Sequence, residues 1–196
     1  VDTTLDRVVA LKILKPGYVA DETAFARFRR EAKTLANLVH PHIAWVWDIG
    51  QEQERYFIAM RYVDGSSLDE LITERGPLPW NEALGIIEGV AEGLAFAHEK
   101  GLVHRDVKPG NIIVSEEEGA VLTDFGIAKA LHASGLTTHT GAVMGTPAYV
   151  APEIWNGQGA DPASDQYALA CVLCETLTGE VLFGGDTPQA TIANHL

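Results

Sequence analysis

The chain has 196 residues, of which 46% are hydrophobic, enough for a packed core and too many for an intrinsically disordered chain. Its formal charge of −13 at pH 7 excludes the broad basic face that non-specific nucleic-acid binding needs, so no nucleic-acid partner is expected. No apolar run reaches the ~18 residues of a membrane span, and no signal peptide is visible. In chain order, Arg7 to Leu14 alternates as a strand, with Val9, Leu11 and Ile13 on one face and Ala10, Lys12 and Leu14 on the other, ended by Pro16-Gly17. Phe25, Phe28, Ala32 and Leu35 then recur at helical spacing, Asp21 can cap the start, and Glu31 flanks the buried stripe. Residues 43–50 and 55–63 read as two more strands around a polar turn at residues 51–54. Asp64-Gly65 breaks this pattern, and Ser67 with Glu70 spells a capping box for a short helix.

Residues 79–98 predict a long helix with Leu84, Ile87, Ala91, Leu94 and His98 on one side and Gly101 beyond its end. A hairpin follows, Asn111–Val114 and Val121–Thr123, joined through residues 115–119. Residues 124–153 show little periodicity, and an irregular segment of that length in a compact domain is usually functional. Residues 165–178 are apolar almost all round, a buried helix terminated by Gly179. Cys171 and Cys174 lie within it without a second Cys/His cluster, so they are expected to be buried small side chains, not metal ligands. With no disulfide framework, a reducing, cytoplasmic setting is expected for this segment. Val1 in place of Met, at the approach to a strand, suggests a piece of a longer chain.

The chemistry gathers at "HRDVKPGN", residues 104–111, and at Asp124. A hairpin returns its end close to its start, so Asp106, Asn111 and Asp124 can converge. An aspartate and an asparagine suit a hard cation such as Mg²⁺ that keeps waters and phosphate oxygens as further ligands. A third carboxylate can orient a hydroxyl and accept its proton, and Lys108 brings positive charge to a transferring phosphoryl group.

These motifs resemble those of the eukaryotic-type protein kinases, in bacterial wording. "HRDVKPGN" is similar to the catalytic loop, Asp124-Phe125-Gly126 to the metal-binding motif, Val9–Lys12 to the lysine strand, Ala151-Pro152-Glu153 to the close of the activation segment, and Asp165 to the helix aspartate that braces the catalytic loop. Five motifs in family order are a far stronger signal than any one. The resemblance implies an α+β bilobal fold, with residues 1–63 a partial small lobe and residues 64–196 a partial helical lobe. It implies ATP with Mg²⁺ (Mn²⁺ as a substitute) and protein substrates bearing Ser or Thr acceptors. Asp106 would be the catalytic base, Lys108 the phosphoryl-stabilising cation, and Asn111 and Asp124 the metal ligands. Lys12, set by Glu31, would hold the α/β-phosphates. Ala10, Met60, Val63, Ile113 and the backbone of Arg61 would surround the adenine, and Arg61 stands where relatives commonly carry an acid. His104 is expected in a packed spine with Phe125, Leu35 and Val46.

Lys108 and the "GTPAY" run point to the serine/threonine subclass, with Thr146 near Asp106 on the substrate side. Arg105 would receive a phosphate from Thr138 or Thr140, and a kinase-domain dimer could carry out that autophosphorylation. The Gly-rich loop expected upstream of the lysine strand is absent, so the chain reads as truncated at both ends and the small sheet should have an open edge. Two other classes compete. A pseudokinase-like scaffold is disfavoured by the intact catalytic residues, and a small-molecule phosphotransferase by the "GTPAY" and "APE" motifs.

Overall fold

The computed structural model describes residues 2–3, 5–14, 34–53, 55–125 and 147–196. Glu31, Gly126, Thr138, Thr140 and Thr146 lie outside them, as does the predicted helix up to residue 33.

β1 (Val9–Ile13), β2 (Val46–Glu52) and β3 (Arg55–Arg61) form an antiparallel sheet in the order β1-β3-β2. The register sets Ala10 opposite Met60 and Lys12 opposite Ile58. Ala10, Lys12 and Leu14 turn toward the interior as the alternation predicts, while Leu11 on the other face is 57% exposed. Among the described residues β1 pairs on one side only, so it is the edge. β2 starts later and runs further than the sequence suggests, and β3 ends at Arg61, leaving a tighter turn in which Gln53 takes a positive φ of 46°.

β4 (Ser66–Ser67) leads into α1 (Leu68–Arg75), where the expected capping box forms. The Glu70 N–H donates to Ser67 Oγ at 3.2 Å and the Ser67 N–H to Glu70 Oε2 at 2.8 Å. Just before β4, a Cβ on Gly65 would stand 2.4 Å from the Val114 carbonyl oxygen, so only glycine permits this close approach to the hairpin.

α2 (Trp80–Glu99) buries a different face from the one expected. Ala83, Ile86, Val90, Leu94 and Ala97 point inward, whereas Leu84 and Ala91 are exposed. Large apolar side chains suggested the stripe, but small residues decide it: Gly89 and Gly93 lie against His42, and a Cβ on Gly89 would meet the His42 ring at 2.9 Å. The hairpin is β5 (Ile112–Ser115), one residue later than expected, with β6 (Gly119–Leu122), which starts two residues earlier and ends one earlier than expected. Residues 42–44 are sewn to β6 through Leu122 N–H to His42 O and Ala44 N–H to Leu122 O, both 2.9 Å.

The described residues of the segment expected to be irregular include a 3₁₀ turn at Pro147–Tyr149 and the start of α3 (Pro152–Trp155). α4 (Pro162–Thr178) begins three residues earlier than expected because Asp161 and Ser164 form a capping box. It ends as expected at a left-handed Gly179 with φ 74°. Cys171 is buried in it and Cys174 partly so. α5 (Pro188–His195), not foreseen from the sequence, starts with Thr187 capping the Ala190 N–H at 3.1 Å. One apolar cluster runs through both lobes, from Leu35, Val46 and Met60 through Phe125 and Leu122 to Val90 and Val172. Each such side chain stabilises the fold by about 1.5–3 kcal/mol on burial, so both lobes share one core. No helix among the described residues is long and apolar enough to cross a membrane.

Candidate active site

The catalytic loop is held from below by one carboxylate. Asp165 on α4 is 1% exposed and accepts three hydrogen bonds: from the His104 N–H at 2.7 Å, the Arg105 N–H at 2.8 Å and His98 Nε2 at 2.8 Å. A carboxylate so deep in the protein is tolerable only when its lone pairs are taken up this way. The same bonds hold Arg105 at φ 68°, a left-handed conformation that costs a non-glycine residue about 1–3 kcal/mol. Helical spacing puts His98 on an apolar stripe. Its partner lies on another helix, and only a lone polar group amid apolar neighbours hinted at it.

His104 is fully buried and joins the loop to the far end of the hairpin. Its Nε2–H donates to the Thr123 carbonyl at 2.9 Å, and its Nδ1 accepts the Asp106 N–H at 3.2 Å. Burial pushes its pKa down, against the pull of nearby Asp165, so the ring is neutral with the proton on Nε2. It packs on Phe125 with centroids 4.5 Å apart; Phe125, Leu35 and Val46 share the core cluster, as expected of the spine.

A short 3₁₀ turn, Pro109–Asn111, carries the loop into β5. The Asn111 Nδ2 donates to the Asp106 carbonyl at 2.7 Å and to Asp106 Oδ2 at 3.0 Å, and Lys108 Nζ lies 3.3 Å from the same Oδ2. Across the hairpin, the Thr123 N–H and hydroxyl donate to the Asn111 carbonyl at 2.8 and 3.1 Å. Asp124 follows at φ 60°, and its Oδ2 meets Lys12 Nζ at 2.7 Å. Asp106, Lys108, Asn111, Asp124 and Lys12 are therefore brought together. The four charged side chains among them are all partly exposed.

Behind Lys12 and Asp124, a crevice of about 20 Å³ is lined by Leu35, Val46, Met60 and Phe125 among others. Ala10 faces Met60 across the sheet, while Val63 packs with Ala44, Val121 and Ile113 in a separate small cluster. The Arg61 side chain does not line the crevice. The Arg105 side chain is exposed.

The end of the activation-segment motif is anchored by a pair the sequence reading missed. The buried Tyr149 hydroxyl donates to Glu175 Oε2 at 2.7 Å. Burial raises the pKa of Glu175, partly opposed by this bond, and burial also raises that of Tyr149. A glutamate inside an otherwise apolar helix was the available signal.

The donor set suits a hard divalent cation. Asp106 takes the Asn111 NH₂, which turns the amide Oδ1 away from Asp106 and leaves it for a ligand, and Asp124 supplies a partly exposed carboxylate. Among the described residues no three His, Cys, Asp or Glu side chains form a metal cage, so phosphate and water would have to complete the coordination.

The chain belongs to the protein kinase domain family, whose model matches residues 1–196. Members of that family use ATP and a divalent metal. The chain is 44% identical over 195 residues to the serine/threonine-protein kinase PrkC of Bacillus subtilis, and 41% identical over 199 residues to PknB of Mycobacterium leprae. Each match covers 100% of the chain but only 30% and 32% of those proteins, so the chain spans about a third of their length. The solved PknI kinase domain of Mycobacterium tuberculosis superposes with a TM-score of 0.75 at 36% identity, covering 91% of this chain and 67% of that one. The expected α+β bilobal kinase fold and the serine/threonine branch are both borne out.

Proposed function

We propose that the protein transfers the γ-phosphate of ATP to serine or threonine hydroxyls of protein substrates, in a cleft between residues 1–63 and 64–196. The observation that carries this reading is the continuous contact from Lys108 through Asp106 to Asn111, with Asp124 held beside Lys12 at the same open end of the hairpin. Asp106 orients the acceptor hydroxyl and takes its proton as that oxygen bonds to the γ-phosphorus and the bridging oxygen leaves with ADP. Its backbone N–H is tied to His104 and its carboxylate to Asn111, so it is pre-positioned before substrate arrives. Lys108 stabilises the charge on the moving phosphoryl group. Lys12 exchanges Asp124 for the α/β-phosphates once nucleotide enters, and Glu31 sets it there. Asn111 and Asp124 would hold Mg²⁺, or Mn²⁺ in its place, and the ion would neutralise charge on the phosphates. Ala10, Met60, Val63, Ile113 and the Arg61 backbone enclose the adenine.

Thr146 orients the substrate side of Asp106. Arg105 receives the phosphate of Thr138 or Thr140, placed there by a second copy of the kinase domain. Two facts support a regulatory loop–phosphate contact: Arg105 is exposed, and its backbone is fixed by Asp165. The test is a radiolabelled-ATP assay on the full-length protein with a generic basic protein substrate, followed by phosphosite mapping. Label on serine or threonine, lost in Asp106→Asn, is the expected result. Undiminished labelling by that variant refutes the role of Asp106, and no transfer by wild type refutes the function.

A further inference from the structure

Arg61 is the last residue of β3, where the chain leaves the small sheet. Its backbone is in register, its N–H donating to the Trp45 carbonyl at 3.0 Å. Its side chain makes three further contacts. The guanidinium lies over the Trp45 ring, 4.4 Å from the centroid, Nη1 donates to the Pro41 carbonyl at 3.2 Å, and Nη2 is paired with the Glu118 carboxylate. Glu118 belongs to the turn joining β5 to β6. Asn111 and Asp124 sit at the opposite end of that same hairpin. Trp45 also meets Trp47 edge to face at 5.6 Å, and Arg7, ion-paired with Asp2, stacks 3.7 Å over Trp47. Two neighbouring indoles, each capped by an arginine, thus run across the sheet to the Arg61–Glu118 pair.

We infer that Arg61 is a positioning residue whose ion pair with Glu118 sets the approach of the small sheet to the catalytic hairpin, and with it the width of the nucleotide cleft. The inference rests on the kinase reading. A planar guanidinium can stack on an indole by its face while bonding two oxygens in its plane, which neither lysine nor glutamine can do. Arg61 and Glu118 are only 16% and 33% exposed, so solvent screens the pair less than it screens an open surface bridge. Asp124 lies at the base of the hairpin, so a change at its tip tilts the wall against which the nucleotide seats.

The experiment compares full-length wild type with Glu118→Gln, Arg61→Gln, the double variant and the reciprocal exchange Arg61→Glu/Glu118→Arg. ATP affinity is read by calorimetry, and KM and kcat by steady-state kinetics. Each single variant should weaken ATP binding and raise KM by about three- to tenfold, with kcat within about twofold. The double variant should be no worse than the weaker single, and the exchange should recover part of the loss. Raised ionic strength should narrow the gap between wild type and Glu118→Gln, since the phosphate contacts common to both weaken alike. Unchanged ATP affinity in Glu118→Gln, additive effects, or a risen kcat at constant KM would each overturn the latch. Wild type that binds ATP without transferring phosphate would instead refute the kinase reading, while the calorimetric comparison would still decide the latch.

Discussion

Asp106 contacts Asn111 on one side of the hairpin's open end and Lys12 contacts Asp124 on the other, yet the protein holds them differently. Asp106 sits in a loop whose backbone is tied to a buried aspartate, a buried histidine and the hairpin. Lys12 sits on an edge strand, is 39% exposed, and has Asp124 as its ion-pair partner among the described residues. On the proposed reading, the carboxylate that must be positioned precisely against the acceptor hydroxyl is built on the rigid side, and the cation that must release one anion and take up another on the adjustable side.

The largest expected effect falls on the rigid side. Asp106→Asn in the full-length protein should lower kcat by about 10²–10⁴-fold while ATP affinity, measured by calorimetry, changes little. Asp165→Ala leaves the N–H groups of His104 and Arg105 buried without an acceptor and should cost about 3 kcal/mol, read as a lower urea midpoint with unchanged m-value. On the adjustable side, Lys12→Met should lower kcat/KM about 10²-fold yet leave the unfolding free energy in urea within about 0.5 kcal/mol of wild type, since a partly exposed ion pair stabilises little. If Lys12→Met proved as destabilising as Asp165→Ala, the contrast between the two sides would collapse.

A smaller effect concerns pH. Glu175 has a folded-state pKa raised above its ordinary 4.5, so the native state holds its proton longer than the unfolded chain. Its contribution is therefore complete below pH 4.5 and is lost as pH rises through the folded value. His104 works oppositely: its lowered pKa makes stability fall as pH drops below its ordinary 6.5. Thermal unfolding of Glu175→Gln across this range should lack the loss of stability on the upward side and retain the loss on the acid side. The smallest change is expected from Ser67→Ala, about 1 kcal/mol from the lost cap of α1, with kcat unaffected.

Residue order alone carried the motif spacing, the alternation of β1, the capping box at Ser67, the stop at Gly179 and the family resemblance. All are encoded within a few neighbouring residues, where backbone geometry and side-chain periodicity decide the outcome. The buried face of α2, the His98–Asp165 and Tyr149–Glu175 pairs and the course of the Arg61 side chain were decided in the folded molecule. Their partners lie far off along the chain, and which side chains meet depends on how closely two elements can approach. At Gly89 and Gly93 it is the lack of a side chain that sets that distance, and no periodicity of large residues records it.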